Sequence, residues 1–173
     1  MACSIRLARR DDLPAINDIY NHYVRVSTCT YQEIPEPLPG RQAWFDRHGP
    51  GHPVTVAEQD GCVIGWGSLS PYHARSAYRY TVENSVYVDH RCHRQGIGSA
   101  LLRDLIERGH GAGLRTIIAC IDAGQTASVT IHAKHGFVMA GQLVGVGYKF
   151  DRWLDVVYMQ LVLNEDSTPA DPR

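Results

Sequence analysis

Apolar and polar positions along this chain change period several times, and each change marks an element. SIRLAR (4–9) alternates as a strand does, and Leu13, Ile16, Ile19 and Tyr20 then recur at helical spacing, with Asp11 placed to cap that helix. TYQEIPEPLPG (30–40) holds three prolines and a glycine and reads as a loop, followed by a short helix around 40–48. PVTVAEQDGCVIGWGSLSP (53–71) predicts two strands about Asp60-Gly61, a strong hairpin signal. YHARSAYR reads as a loop and YTVENSVYV (80–88) as a strand. From Gly96 onward, Ile97, Leu101, Leu102, Leu105 and Ile106 form one helical stripe that GAGL ends. RTIIACI (115–121) is a β-branched run suited to a buried strand, and TASVTIHAKHG (126–136) predicts a helix with Gly136 just past its end. FVMAGQLVGVGYKF and RWLDVVYMQLVL are strand-like and meet near Asp151. The order predicts an α+β fold, a single domain over 1–163 built on a mixed, mostly antiparallel sheet with helices on both faces. Residues 164–173, NEDSTPADPR, form a polar tail expected to be disordered.

Composition narrows the function classes. Seventeen basic against eighteen acidic residues give no charge argument for nucleic acid or an anionic membrane. No apolar run approaches the ~20 residues of a membrane span, and MACSIRLARRDD lacks the apolar stretch of a signal peptide. Five scattered cysteines with no Cys-x-x-Cys favour reduced thiols in a cytoplasm. His90, Cys92 and His93 crowd one turn, and neither they nor HAKH (132–135) has zinc-site spacing, so no metal is expected.

The chemistry concentrates in TVENSVYVDHRCHRQGIGSALL (81–102), where a strand runs through a basic turn and Gly-x-Gly into a helix. The first N–H groups of that helix lack intrahelical partners and favour an anion. A Walker A loop requires Gly-Lys-Ser/Thr, whereas this turn ends Gly98-Ser99-Ala100. A dinucleotide fingerprint requires a third small residue where Leu101 stands. The pyrophosphate of coenzyme A is a third candidate, and a helix that merely starts at glycine is a fourth.

HRQGIG (93–98) resembles the acetyl-CoA signature of the GNAT superfamily of N-acetyltransferases, with His93 at a position usually Arg or Gln. RSAYRYTVENSVYV (75–88), ASVTIHAKHGF (127–137), GYKFDRWLDVVYMQLVL (147–163) and IYNHYV (19–24) resemble the branch that acetylates phosphinothricin and methionine sulfoximine. The resemblance implies a sheet splayed at the cofactor site and a cofactor, acetyl-CoA, used as co-substrate. It implies that Glu83 is the general base, because an α-amine is substantially ammonium at neutral pH and must lose a proton before it attacks. Val86, Tyr87 and Val88 are expected to contact the cofactor, chiefly through the main chain, with the amide near Val88 stabilising the developing oxyanion. His93, Arg94, Gln95, Gly96, Ile97, Gly98 and Ser99 are expected to cradle the pyrophosphate, helped by Arg91. Gln125 stands where the family often has Asn for a pantetheine contact. His132, where many relatives place a tyrosine, is expected to be an acid or a positioning group. Arg75, Tyr78 and Lys149 join Glu83 as expected contacts for a small zwitterionic acceptor. The family's dimerism implies a homodimer in which the region of Tyr148, Lys149 and Trp153 reaches the pocket across the subunit boundary. Two alternatives remain open: a coenzyme A sensor without turnover, and an acetyltransferase for protein or peptide amines.

Overall fold

The computed structural model describes residues 3–163, so the tail reading for 164–173 lies outside the described residues. Seven strands form one sheet in the order β1-β2-β3-β4-β5-β7-β6. They are β1 (Ser4–Leu7), β2 (Val54–Gln59), β3 (Cys62–Pro71), β4 (Thr81–Val88), β5 (Thr116–Asp122), β6 (Val138–Lys149) and β7 (Arg152–Val162). The helices are α1 (Leu13–Val26), α2 (Leu38–Asp46), α3 (Ile97–Gly111) and α4 (Thr126–Lys134). Every strand pair is antiparallel except β4 with β5.

Two hairpins frame the sheet. Asp60 (φ 52°) and Gly61 (φ 76°) turn β2 into β3 with the left-handed backbone that matches strand twist. Phe150 (φ 53°) and Asp151 (φ 57°) do the same between β6 and β7 without any glycine. Alternation along β3 sends Trp66 to one face, where it packs with Leu13, Ile16 and Ile19 of α1. Gly65 and Gly67 face α3 on the other side. A Cβ at Gly67 would lie 2.9 Å from Leu105 Cδ1 and 3.1 Å from the Ser85 carbonyl, so the glycine lets helix and sheet close together. The main core lies on that side, among Leu69, Val82, Leu102, Leu105, Ile117 and Phe137.

Two element boundaries differ from the pattern. Asp12, not Asp11, stands at the start of α1, after a short 3₁₀ turn over Arg10–Asp12. Its carboxylate accepts from the Arg9 amide and from both terminal nitrogens of Arg6, which draws the entry of α1 onto β1 and holds Asp12 below its usual carboxyl range. The second helix begins at Leu38 rather than 40, because Pro39 lies in its first turn, where a missing N–H costs nothing.

What matters most for the site is an incomplete pairing. β4 and β5 share three rungs only, Thr81↔Thr116, Val82↔Ile117 and Glu83↔Ile118. β3 stays with β4 as far as Val88, and β7 stays with β5 as far as Asp122. Two half-sheets therefore diverge beyond Glu83, and the wedge between them exposes main chain on both sides.

Candidate active site

A cleft of about 690 Å³ fills that wedge. It is walled by Glu83–Val88 of β4, Ala119–Asp122 of β5, the turn around 92–99, the face of α4 carrying Ser128, Ile131 and His132, and the loop Ser27–Tyr31.

The turn makes one end suitable for an anion. Gly96 stands at the N-cap of α3 with φ 79° and no capping side chain, which leaves the first N–H groups of the helix directed outward. Arg94 also has positive φ, 61°. Asp89 accepts from the Arg91 amide and binds the Arg91 guanidinium at 2.9 and 2.6 Å, so Arg91 is committed to shaping the turn. Those bonds pull the Asp89 carboxyl down to about 2. His93 also finds a partner. Tyr23 of α1 donates its hydroxyl proton to the Val88 carbonyl, so it accepts from His93 Nε2–H at 2.6 Å. The two rings lie parallel, 8° apart. Burial raises the Tyr23 hydroxyl to about 12, which keeps that proton in place. Of the turn residues expected at the phosphate, all but Arg91 and Gln95 border the cleft.

Glu83 lies at the other end, on the last shared rung, and borders the cleft. Among the described residues no side chain or amide hydrogen-bonds its carboxylate. Desolvation alone raises its pKa. Such a group takes a proton readily and is held in no competing bond. Cys120 borders the cleft beside it and interacts with Tyr158 across the β5–β7 rung. Burial, followed by the nearby Glu83 charge, pushes the Cys120 thiol up.

His132 is 5% exposed, and its bonds fix its tautomer. Nδ1 lies 2.8 Å from the Ser128 carbonyl, which can only accept, so Nδ1 carries the hydrogen. Nε2 then presents its lone pair to Asn84 Nδ2 at 2.9 Å. Burial lowers the imidazole pKa, favouring this neutral state. Of the two expected roles, acid and positioning group, the acid lacks a free proton in this geometry.

The acceptor side departs further from the sequence expectations. Lys149 does not border the cleft: it is buried, and its ammonium donates to the Ser27 and Thr30 carbonyls at 2.8 Å each. Within one chain it ties down the loop that walls the cleft. The same loop is held by Tyr20 at Thr30, by Gln125 at Thr28, and by the Tyr31 hydroxyl at Asp122 and the Asp155 carbonyl. Lys149→Met is therefore expected to lower thermal stability by about 1–3 kcal/mol for each carbonyl left unpaired and to speed amide exchange across 27–31 specifically. Arg75 stands at the N-cap, and Tyr78 at the last position, of an exposed 3₁₀ turn after β3, and neither is among the cleft residues of a single chain. Tyr78 packs there against His73 and Tyr72. Tyr87 borders the cleft by its backbone strand position while its ring stacks on Trp66. Tyr23, Tyr31, Asn84 and Cys120 also border the cleft and were not singled out in the sequence: Tyr23 and Asn84 lie inside segments that resemble the family but carry no residue-type signal of their own, and Tyr31 and Cys120 stand in a proline-rich loop and a buried strand.

The model of the Acetyltransferase (GNAT) family matches residues 16–137. A phosphinothricin N-acetyltransferase from Alcaligenes faecalis is 45% identical over 96% of this chain and 86% of its own length. An L-methionine sulfoximine/L-methionine sulfone acetyltransferase from Pseudomonas paraeruginosa is 43% identical over 99% and 100%. Among solved structures, a phosphinothricin acetyltransferase from Sinorhizobium meliloti in complex with AcCoA superposes with a TM-score of 0.95 at 34% identity, covering 99% of this chain and 95% of that one.

Proposed function

The chain belongs to the acetyltransferase (GNAT) family, and on that premise we propose that it acetylates the amino group of a small amino-acid-like acceptor of the phosphinothricin or methionine sulfoximine kind. The observation that carries the reading is the pairing of two ends in one wedge: an uncapped glycine helix start and, at the fork, an unbonded carboxyl raised by burial. The turn from His93 to Ser99 holds the pyrophosphate of acetyl-CoA, and the parted strands receive the pantetheine arm along exposed main chain. Glu83 takes the proton from the acceptor's ammonium, directly or through water. The freed nitrogen forms its bond to the thioester carbonyl carbon, the oxygen gathers charge against a main-chain amide of the parted β4 strand near the fork, and the carbon–sulfur bond breaks to release the coenzyme thiolate, which takes up the nitrogen's second proton. A thiol with a reference pKa of about 8.5 leaves without a dedicated acid, in keeping with the proton-locked His132. Arg75 and Tyr78 meet the acceptor's oxygens at the outer rim.

The test is acetyl-CoA-dependent thiol release across amino acids, their sulfone, sulfoximine and phosphinate analogues, polyamines and a basic peptide. Fastest use of the analogues supports the reading, preference for the peptide overturns the acceptor class, and coenzyme binding without release leaves a sensor. Arg75→Lys is expected to lower kcat/KM for the analogues by about 1–3 kcal/mol, since lysine cannot reproduce the planar fork. Unchanged rates would remove Arg75 from the acceptor site.

The reading includes a role in detoxification, cytoplasmic placement and a homodimer. No helix among the described residues is long and apolar enough to cross a membrane, and all five cysteines are free. β6 is an edge strand with Val138, Val144, Val146 and the nearby Trp153 exposed, an apolar strip that a second copy would cover. Val144→Glu with Val146→Glu is expected to halve the mass measured by light scattering. A parent protein that is already monomeric sinks the dimer.

A further inference from the structure

Asn84 is a buried polar residue that the proposed reaction does not use. It is 7% exposed, borders the cleft, and lies one residue past the last rung shared by β4 and β5. Its carboxamide has a determined orientation. Because His132 Nδ1 must donate to Ser128, His132 Nε2 can only accept, and the NH₂ group of Asn84 must face it. The opposite end of the amide, Oδ1, is buried with no hydrogen-bond partner among the described residues. An acceptor left in that state has given up its hydrogen bonds to water and gained none in return, and rotating the amide would only exchange one unpaired group for another.

The path to Asn84 is apolar. Gly98 at the start of α3 looks onto Val88, Val86 and Ile131, with 3.6 to 4.0 Å between its built Cβ position and their side chains. From Val88 to Asn84 is four residues of strand, roughly 13 Å at ~3.3 Å each. An arm anchored by its pyrophosphate at the turn and threaded along this apolar rail brings its thioester end to the fork. The last hydrogen-bond donor on that arm is the amide N–H nearest the thioester.

We propose that Asn84, held in register by His132, binds the coenzyme's thioester-proximal amide N–H through Oδ1. The assignment rests on acetyl-CoA being the donor substrate, and it gives His132 a role as a positioning residue that needs no transferable proton. Asn84 thereby fixes the thioester's advance along the wedge, so the carbonyl carbon stops opposite Glu83.

The experiment compares acetyl-CoA with an analogue in which that amide is an ester, using the parent, Asn84→Leu and Asn84→Ala. Melting curves establish that each variant folds. The parent is expected to favour the amide over the ester by a few-fold to about tenfold in KM, and the variants are expected to lose that preference. His132→Phe, which frees the carboxamide to rotate, is expected to reduce the preference without shifting the pH profile of kcat. Equal use of both compounds by the parent overturns the assignment and leaves Oδ1 without a ligand, a result that needs no variant. A preference retained in both variants also overturns it, because another group then accepts the N–H. Failure of the parent to bind either compound removes the acetyl-CoA reading itself, and Asn84's role with it.

Discussion

Glu83→Gln is expected to reduce kcat by about 10²–10⁴ while acetyl-CoA still raises the melting temperature as in the parent. The substitution keeps the shape of the side chain at the fork and removes its ability to take a proton. In the parent, activity should climb with pH as Glu83 loses its own proton, and burial places that limb above the ordinary carboxylate range. The acceptor's ammonium contributes a second rise nearer its own reference value of about 7.7–8.0. In the variant the first limb should vanish and the second remain. A near-normal kcat with an unchanged profile would make Glu83 a structural residue and leave the reaction without a base.

The same raised pKa carries a stability consequence of definite sign. A carboxyl whose folded pKa exceeds its unfolded value holds a proton in the native state after the unfolded chain has lost it. Stability therefore falls as pH rises from the ordinary value through the raised one. Glutamine has no such loss. Glu83→Gln should match the parent's melting temperature near pH 4 and exceed it at pH 8, so activity and stability move in opposite directions at one position.

Elements with strong periodicity were legible in the sequence, and so was the glycine turn that starts α3. Asp60-Gly61 announced its hairpin because the left-handed backbone restricts residue choice. Phe150-Asp151 adopts the same kind of turn with residues that carry no such signal, and only the flanking strand patterns located it. The start of α2 was hidden by Pro39, which breaks helices in their interior and is tolerated in their first turn. The partners of Lys149 were hidden for a different reason. Its motif marked a pocket region, yet whether its ammonium faces substrate or carbonyls depends on where Ser27 and Thr30 fold back, 122 and 119 residues away in sequence. Asn84 lay inside a motif that resembles the family, yet nothing about its residue type singled it out. Its significance comes from an unpaired oxygen and from the tautomer of a histidine 48 residues distant.

Gly96→Val is expected to abolish most of the stabilisation that acetyl-CoA confers and to lower the melting temperature of the free protein. The reason is backbone conformation, not space. A Cβ at Gly96 meets nothing within 4 Å, but the residue sits at φ 79°, where a β-branched side chain is strained. Such strain costs about 1–3 kcal/mol, and the chain can relieve it only by rotating out of the left-handed region. That rotation moves the N–H groups of Ile97, Gly98 and Ser99 away from a common point and dismantles the cradle. At a ligand concentration of 100 Kd the parent should gain about 2.7 kcal/mol from mass action, and the variant only a small fraction of it. Gly96→Asn is the discriminating control, because asparagine tolerates the left-handed backbone and should keep most of the coenzyme response. A full response in Gly96→Val would place the pyrophosphate elsewhere. A parent stabilised equally by ATP would replace the coenzyme assignment with a general nucleotide site. If valine fails and asparagine succeeds, the requirement at Gly96 is a backbone angle, and the helix start it creates is what holds the phosphate.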